Sequence, residues 1–302
     1  MNFVLIMENN ANENVAQRYV DILTNAGFKA LFGDEANKDV VMSVINEFLP
    51  EHRQVTTIEY LPTEQQGPVI SVSKEYHYDF MCRDRSGSVF IVEMQCYSEL
   101  GWFQRCVSYA SRAYDRQVRR GDGYDIAPVY LIGLMGVPIE HHNAEYWRNR
   151  YISEYTFREK SCGELLAETI FIIFAELAGF DKRREECQTE QDRMLYLLKN
   201  VGRLNERPQW LQNEVYERFF RACEICAFNE DKRIEYEKDM NDERRLNGML
   251  RASREEGLEE GQVQGKTELL LKMYSKGMSE DEISSLLDMP LEMVKKLLAS
   301  DV

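Results

Sequence analysis

Residues 77–95 read HYDFMCRDRSGSVFIVEMQ, and this stretch decides the fold that we expect for the chain. Large apolar side chains alternate with polar ones over 78–82, and residues 88–95 are rich in β-branched and aromatic side chains. Residues 84–87, which read DRSG, have the composition of a tight turn. The sequence therefore predicts two antiparallel strands that are joined by this turn.

Three polar side chains are expected to meet in this hairpin. Asp79 and Glu93 stand at similar distances from the turn, which brings them side by side. Because side chains alternate between the two faces of a strand, Glu93 and Gln95 point the same way. Residues 89–92 are all apolar, which indicates a buried strand rather than an exposed edge. Paired carboxylates at a strand end suit Mg²⁺, which prefers oxygen ligands, although a solvated polar hairpin face would give the same pattern.

A helix predicted at 102–119 follows the second strand and presents one basic and aromatic face. Arg105, Tyr109, Arg112 and Arg116 recur at helical spacing, which places them on one side of that helix. Such a face is suited to the phosphate groups of a nucleic acid, and it is equally suited to salt bridges with surrounding carboxylates. The spacing is compatible with both interpretations.

The rest of the chain alternates between predicted helices and strands. Further helices are predicted at 11–23, 37–49, 164–178, 191–201 and 209–227, and further strands at 55–60, 127–134 and 151–157. Residues 127–134 (APVYLIGL) are continuously apolar, as expected for a central buried strand. This order of elements predicts an α/β fold, in which a mixed sheet is flanked by helices and followed by a helical C-terminal extension.

The composition limits the classes of function that the chain can have. It has 302 residues and a formal net charge of −15, so nucleic-acid contacts would have to come from a local basic cluster. The seven cysteines are scattered, and only Cys223 and Cys226 are close together, which is typical of reduced thiols in a cytoplasmic protein. The apolar stretch 165–177 contains charged residues and is too short to span a bilayer, so we expect no membrane contact.

The composition changes after Asn229. From there to about residue 270 the chain is dense in charges of both signs and poor in aromatic residues, which predicts a solvated or self-pairing helix. Short helices are predicted at the C-terminus, where Ser279 and Glu282 have the spacing of a capping box. We therefore predict a core domain over 1–230, a charged helical linker over 231–268 and a small tri-helical unit over 269–302.

The C-terminal unit has two interpretations. Its short helices resemble a helix-turn-helix unit, but the last of them offers only Lys295 and Lys296 as basic residues. We favour a structural or oligomerising unit, and an arm that targets DNA is the alternative.

A series of short motifs follows in a fixed order along the chain. They are NAGFKALFG at 25–33, NKD at 37–39, INEFL at 45–49, YDF at 78–80, Gly87, VEMQ at 92–95, Arg105, Tyr109, SRAY at 111–114, Gly121, Tyr124 and PVY at 128–130. Together they resemble the Rpn-type (recombination-promoting nuclease), transposase-like branch of the PD-(D/E)xK nucleases, over about residues 20–230. The stretch REEG at 254–257, with Gly261 and Gly265, is similar to the repetitive tails of the same group.

The resemblance implies a restriction-endonuclease-like core and the activity of a DNA endonuclease that hydrolyses phosphodiester bonds with Mg²⁺ or Mn²⁺. Asp79 would correspond to the metal-binding aspartate and Glu93 to the acidic residue of the (D/E)xK element. The backbone carbonyl of Met94 would also bind the metal. Gln95 stands where other nucleases have Lys, and it would position the attacking water by hydrogen bonding. The residues expected at the substrate are Arg105, Tyr109 and Arg112.

Two departures from the family pattern leave a second function open. Asn25 stands where the first motif usually begins with Asp, and Gln95 replaces a cation that could stabilise a pentacovalent phosphate. The alternative is a nuclease fold with little or no activity that serves as an interaction or regulatory module. For the nuclease, DNA is the expected partner, DNA recombination is the expected setting and a homodimer is the expected assembly.

Overall fold

The chain divides into two compact units. In the computed structural model, the described residues are 17–65, 76–118, 121 and 123–299. The first unit extends to Met240 and the second begins at Asn241. The sheet lies in the first unit, and the described part of the second unit consists of helices with short connections.

Six strands form one mixed sheet. The described residues form eight strands in all: β1 (Ile58–Tyr60), β2 (Glu64–Gln65), β3 (Tyr76–His77), β4 (Phe80–Asp84), β5 (Val89–Gln95), β6 (Val129–Met135), β7 (Ile152–Thr156) and β8 (Ile170–Ala175). The order in the sheet is β1-β4-β5-β6-β8-β7, and β2 and β3 form a separate antiparallel pair. β6 pairs in parallel with both β5 and β8, and the outer pairs are antiparallel.

Helices cover both faces of the sheet. The described residues form the helices α1 (Asn25–Phe32), α2 (Lys38–Asn46), α3 (Trp102–Asp115), α4 (Ala144–Trp147), α5 (Glu190–Asn200), α6 (Glu214–Cys223), α7 (Glu230–Ser275), α8 (Glu280–Leu287) and α9 (Leu291–Ala299), of which α8 and α9 belong to the second unit. Val89 and Ile91 of β5 belong to the core cluster that includes Ala110 of α3. Phe90 and Val92 belong to the larger cluster on the opposite face, which includes α1, α2, α5 and α6. β5 is therefore buried on both sides.

The predicted fold class is confirmed. The described residues form a mixed six-stranded sheet that is flanked by helices, and a long C-terminal helix follows. This architecture agrees with the mixed sheet flanked by helices that the resemblance implies. The parallel pairing of β5, β6 and β8 places the carboxyl ends of these strands at one edge of the sheet.

The helix predicted at 164–178 is wrong. Residues Ile170–Ala175 (IFIIFA) form β8, an inner strand that pairs with both β6 and β7. A short continuous apolar run is compatible with a buried helix and with a buried strand, because neither leaves a polar face to set the period. The β-branched and aromatic content of this run was the signal that favours a strand.

The first predicted helix is also wrong where the structure describes it. Residues 11–16 lie outside the described residues, and 17–23 are not helical. Instead, Tyr19 forms an antiparallel bridge with Glu224, and the Val20 N–H donates to the Cys223 carbonyl at 2.9 Å. Tertiary pairing with the end of α6 has replaced the local helical pattern.

The second unit has a small core of its own. Leu270, Ile283, Met289 and Val294 form a buried apolar cluster. The capping box is observed as predicted, since the Ser279 hydroxyl caps α8 and a carboxylate in the first turn of α8 accepts the Ser279 N–H at 2.8 Å. Among the described residues, no helix is both long enough and apolar enough to cross a membrane.

Candidate active site

The register of the central hairpin places Asp79 opposite Glu93. β4 and β5 pair antiparallel, with Phe80 opposite Val92, so the residue before Phe80 meets the residue after Val92. The turn that sets this register contains Gly87 at φ +89°, a conformation that favours glycine. The sequence predicted this pairing, because turn chemistry and strand alternation are both local properties.

Two backbone hydrogen bonds hold the two acidic side chains across the hairpin. The backbone N–H of Asp79 donates to Oε1 of Glu93 at 3.1 Å, and the backbone N–H of Met94 donates to Oδ2 of Asp79 at 2.8 Å. Each bond uses one oxygen of a carboxylate and fixes that carboxylate against the neighbouring strand. The hairpin backbone therefore pre-organises both side chains at one strand end.

The environment of this pair opposes its ionisation. Glu93 is only 2% exposed, and its burial, together with the nearby charge of Asp79, raises its pKa well above the usual range. The Asp79 N–H and the Arg105 guanidinium act in the opposite direction. Asp79 has exposed surface, but its carboxylate lies against the end of β5, and the loss of hydration there raises its pKa. The Met94 N–H, Arg105 and Lys29 each lower it in part.

The amide of Gln95 is turned into the protein. Gln95 is 5% exposed, its Nε2 donates to the Tyr97 carbonyl and its Oε1 accepts from Nη2 of Arg105 at 3.2 Å. The same guanidinium donates through Nη1 to Oε2 of Glu99 at 2.7 Å and lies 4.5 Å above the ring centroid of Trp102. Arg105, whose charge also lowers the pKa of Asp79 and of Glu93, connects Gln95 to this pair, and both ends of the Gln95 amide are engaged.

The predicted substrate residues of α3 follow one side of the helix, and Cζ of Arg105 lies 5.9 Å from the ring centroid of Tyr109. Arg105 faces Gln95, as described above. Tyr109 packs against Tyr78 and Tyr76 with ring centroids 4.9 and 5.7 Å away, and Arg112 lies 5.8 Å from the centroid of Tyr76. Burial raises the pKa of Tyr109, and the charge of Glu93 adds to this rise. α3 therefore joins the central hairpin to an aromatic cluster at β3.

Gly133 is a site residue that the sequence analysis did not single out. It lies opposite Glu93 in the register of β5 and β6, and opposite Phe174 in that of β6 and β8. A Cβ at this position would lie 2.7 Å from Cδ1 of Phe174. Only glycine lets this ring lie over β6, the strand next to the one that bears Glu93. No local pattern predicts this need, because it comes from a strand about forty residues later in the sequence.

A second buried acidic residue lies at the same edge of the sheet. Glu176 follows β8 directly, and its two carboxylate oxygens lie 2.8 and 2.9 Å from Nε2 of His141. The His141 ring stacks on Trp147 at a centroid distance of 4.2 Å. This pair was missed because residues 164–178 were assigned to a helix. A strand assignment would have placed Glu176 at the carboxyl edge.

A cleft of about 820 Å³ opens on the Asp79 side of the hairpin. Its acidic lining residues are Asp34, Glu35, Asp79, Asp231, Glu235 and Asp239. Its described cationic lining residues are Lys29 and Lys232. Nζ of Lys29 lies 3.2 Å from Oδ2 of Asp239, and Nζ of Lys232 lies 2.6 Å from Oδ2 of Asp34. The cleft is therefore acidic, and both lysines are paired with carboxylates.

The donor set of the hairpin fits a hard divalent cation. No group of three or more His, Cys, Asp or Glu side chains that could hold a metal occurs in the described part of the chain. The hairpin offers two carboxylates instead, and Mg²⁺ commonly binds through one or two carboxylates while it keeps several waters. A buried Glu93 beside a like-charged Asp79 is also an arrangement that a cation would stabilise.

The family was tested by comparison with known proteins. A family model described as PD-(D/E)XK nuclease family transposase matches residues 23–252, which is more than half of the chain. The chain belongs to this family. The search of curated proteins and the search of solved structures both gave no match. Membership supports a nuclease-type function, and nucleases of this kind typically use divalent metals and act on DNA.

Proposed function

We propose that the protein is a divalent-metal-dependent DNA endonuclease of the Rpn and transposase-like type, which hydrolyses phosphodiester bonds. The observation that carries the proposal is the pair of backbone hydrogen bonds at the end of the central hairpin. The Asp79 N–H donates to the Glu93 carboxylate, and the Met94 N–H donates to the Asp79 carboxylate. In a chain of this family, two neighbouring carboxylates at a strand end would supply oxygen ligands for a divalent metal. Phosphodiester hydrolysis is the activity that this arrangement supports best, and DNA recombination is the setting that we propose for it.

Asp79 and Glu93 would hold Mg²⁺ or Mn²⁺, and the backbone carbonyl of Met94 would be the third protein ligand. Such an ion neutralises charge on the scissile phosphate and lowers the pKa of an attacking water. The chain contributes by pre-organising the two carboxylates. The backbone N–H groups of Asp79 and Met94 fix one oxygen of each side chain, so little reorganisation is required when substrate binds.

Gln95 would orient the attacking water after its Nε2 releases the Tyr97 carbonyl. The Gln95 amide is one hydrogen-bond exchange away from this role, because Arg105 holds its other end. Arg105 is itself fixed by Glu99. Arg105, with Tyr109 and Arg112 further along α3, would contact the phosphates of the substrate.

Nicking of supercoiled DNA tests the proposal. Purified protein with Mg²⁺ or Mn²⁺ is expected to nick the plasmid, and Asp79→Ala and Glu93→Ala are each expected to abolish this. Equal nicking rates for wild type and both variants would identify a contaminating nuclease and contradict the proposal.

A second candidate function is an interaction or regulatory module with a nuclease fold that is weakly active or inactive. It is favoured by the closed Gln95 amide and by the acidic cleft beside Asp79. Calorimetry with Mg²⁺ or Mn²⁺ separates the two candidates. A module has no reason to bind a divalent ion at Asp79 and Glu93, so binding that is lost in Glu93→Gln would favour the nuclease.

We also propose a homodimer in the cytoplasm. Paired subunits would let the nuclease cut both strands of a duplex, and the charged surface of α7 is suited to self-pairing. The seven cysteines form no disulfide with one another, which is compatible with a reducing compartment. Light scattering of the full chain measures the assembly, and a monomer mass at micromolar concentration would remove the dimer. The core, linker and tri-helical divisions at 1–230, 231–268 and 269–302 remain a proposal of the same kind.

A further inference from the structure

No basic residue occurs in 79–82 or 91–95, the two segments that meet at the Asp79 end of the central hairpin. Gln95 supplies an amide at the position where related nucleases have a cation, and the Arg105 guanidinium is bonded to both Gln95 and Glu99. A phosphodiester that gains charge during hydrolysis is stabilised by a cation close to it. Such a cation can also approach the phosphate from the other side of Asp79.

Lys29 of α1 is such a cation. The Phe28 and Phe32 rings stack on each other at 4.3 Å, and Phe32 packs against Phe80 with ring centroids 5.6 Å apart. Because Phe80 follows Asp79 directly, this packing fixes α1 beside the catalytic hairpin. Lys29 and Asp79 both line the cleft described above, and the Lys29 side chain is 55% exposed.

The first turns of α7 place an acidic residue against this lysine. Tyr236 is 7% exposed and belongs to the large core cluster, so this end of α7 is anchored in the first unit. One turn later, Oδ2 of Asp239 lies 3.2 Å from Nζ of Lys29. Asp239 thus stands at the position that a phosphate oxygen would take on the same ammonium group.

We propose that Lys29 supplies the positive charge that binds the substrate phosphate beside Asp79, and that Asp239 holds this ammonium group until nucleic acid displaces it. This inference rests on the proposed endonuclease function and names a further residue of the same site. An exposed salt bridge contributes little to stability, so a phosphate dense in charge can replace the Asp239 carboxylate. Lys29 then acts from α1 in the place of the cation that Gln95 lacks.

The test uses full-length chains with matched substitutions. Lys29→Gln removes the charge, Lys29→Arg keeps it, and Asp239→Asn releases the ammonium group. Lys232→Gln is the control, because Lys232 lines the same cleft and pairs with a different carboxylate, that of Asp34. Three quantities are measured: duplex affinity by fluorescence anisotropy with Ca²⁺ in place of Mg²⁺, single-turnover cleavage with Mn²⁺, and Mn²⁺ affinity by calorimetry.

The expected results follow from the charge at residue 29. Lys29→Gln lowers the cleavage rate about 100-fold, as for loss of one fixed group that stabilises developing charge. It also weakens duplex binding about threefold or more. The slope of log affinity against log salt concentration becomes shallower by about 1, because one phosphate contact is lost. Lys29→Arg keeps most of the activity, and Lys232→Gln stays close to wild type. Asp239→Asn tightens duplex binding about threefold or more.

Calorimetry separates a local charge effect from damage to the fold. Loss of a cation near the carboxylates leaves Mn²⁺ affinity unchanged or tighter in Lys29→Gln, because the lysine no longer repels the metal. A misfolded variant would lose Mn²⁺ binding together with cleavage. That combination, with no rescue in Lys29→Arg, contradicts the proposal.

The outcome also distinguishes this inference from the proposed function. If wild type cleaves no DNA with Mg²⁺ or Mn²⁺, the proposed endonuclease function is wrong. The duplex affinities of wild type and Lys29→Gln then still show whether Lys29 binds the phosphate. Equal affinities and salt dependences for wild type and Lys29→Gln overturn the role of Lys29. Equal affinities for wild type and Asp239→Asn overturn the part assigned to Asp239.

Discussion

Glu93 and Glu176 are two buried glutamates at the same edge of the sheet, and their partners differ in charge. Glu93 is the fifth residue of β5, and Glu176 follows β8, on the other side of β6. Burial is the first cause of a raised pKa in both. The next cause is opposite in sign, because the charge of Asp79 raises the pKa of Glu93, whereas His141 lowers that of Glu176.

The comparison teaches which buried carboxylate is prepared for a ligand. Glu176 has a hydrogen-bonding partner within the chain, His141, that satisfies both of its oxygens. Glu93 has one backbone N–H and a like-charged neighbour, so its site gains stability when a cation binds. We therefore propose that Glu176 stabilises the fold and that Glu93 binds the metal. The following predictions test these two roles.

The largest expected difference is in cleavage. Glu93→Gln keeps the size and the hydrogen bond from Asp79 but removes the charge that holds a metal, which is worth several kcal/mol in the transition state. The single-turnover rate should fall about 1,000-fold or more. Glu176→Gln, the matched change, should stay within about tenfold of wild type. Equal losses in the two variants would break the comparison.

The second difference is in stabilisation by metal. Mn²⁺ at about 100 times its dissociation constant should stabilise wild type by about 2.7 kcal/mol, because it binds the folded chain only. Differential scanning calorimetry should show this shift in Glu176→Gln and not in Glu93→Gln. A shift that survives in Glu93→Gln would place the metal somewhere else.

The third difference is in stability without metal. Glu176→Gln should lower the free energy of unfolding by about 1–3 kcal/mol, since it replaces a charged hydrogen bond to His141 with a neutral one in a buried site. Glu93→Gln should leave stability unchanged or raise it, because it removes a buried charge that Asp79 repels. Urea denaturation in EDTA measures both. Destabilisation of similar size in both variants would show that Glu93 is structural as well.

The smallest expected effect concerns Asp192, a buried carboxylate whose pKa is lowered, whereas those of Glu93 and Glu176 are raised. Burial alone would raise its pKa, but the bonds from Lys182, at 2.6 Å, and from Thr189 outweigh burial and lower it. A lowered pKa contributes stability that is present above the unfolded value and is lost as pH falls through the folded value. Asp192→Asn should therefore cost about 1 kcal/mol at pH 7.

The pH series supplies the check on that sign. The difference in unfolding free energy between wild type and Asp192→Asn should shrink as pH falls below the unfolded pKa of about 3.9. A difference that grows toward low pH would contradict it. Lys182→Met should show the same dependence, because it removes the cation that lowers the pKa of Asp192.

Local patterns predicted much of the fold and of the site. The hairpin of residues 80–95, the helix α3 and the cap of α8 at Ser279 all follow from turn chemistry, alternation or capping, which act over a few residues. β8 was missed because its six residues are apolar on both faces, and their period carries no information. The Glu176 and His141 pair was lost with it.

The sequence by itself determined that Asp79 and Glu93 would meet at one end of a hairpin, because strand alternation and a four-residue turn fix that geometry locally. Only the tertiary structure decided what surrounds them. The bond between Gln95 and Arg105, the place of Lys29 beside the cleft and the glycine at 133 all depend on packing between segments that are distant in sequence. Burial and neighbouring charge set the chemistry of a carboxylate, and both are properties of the folded chain.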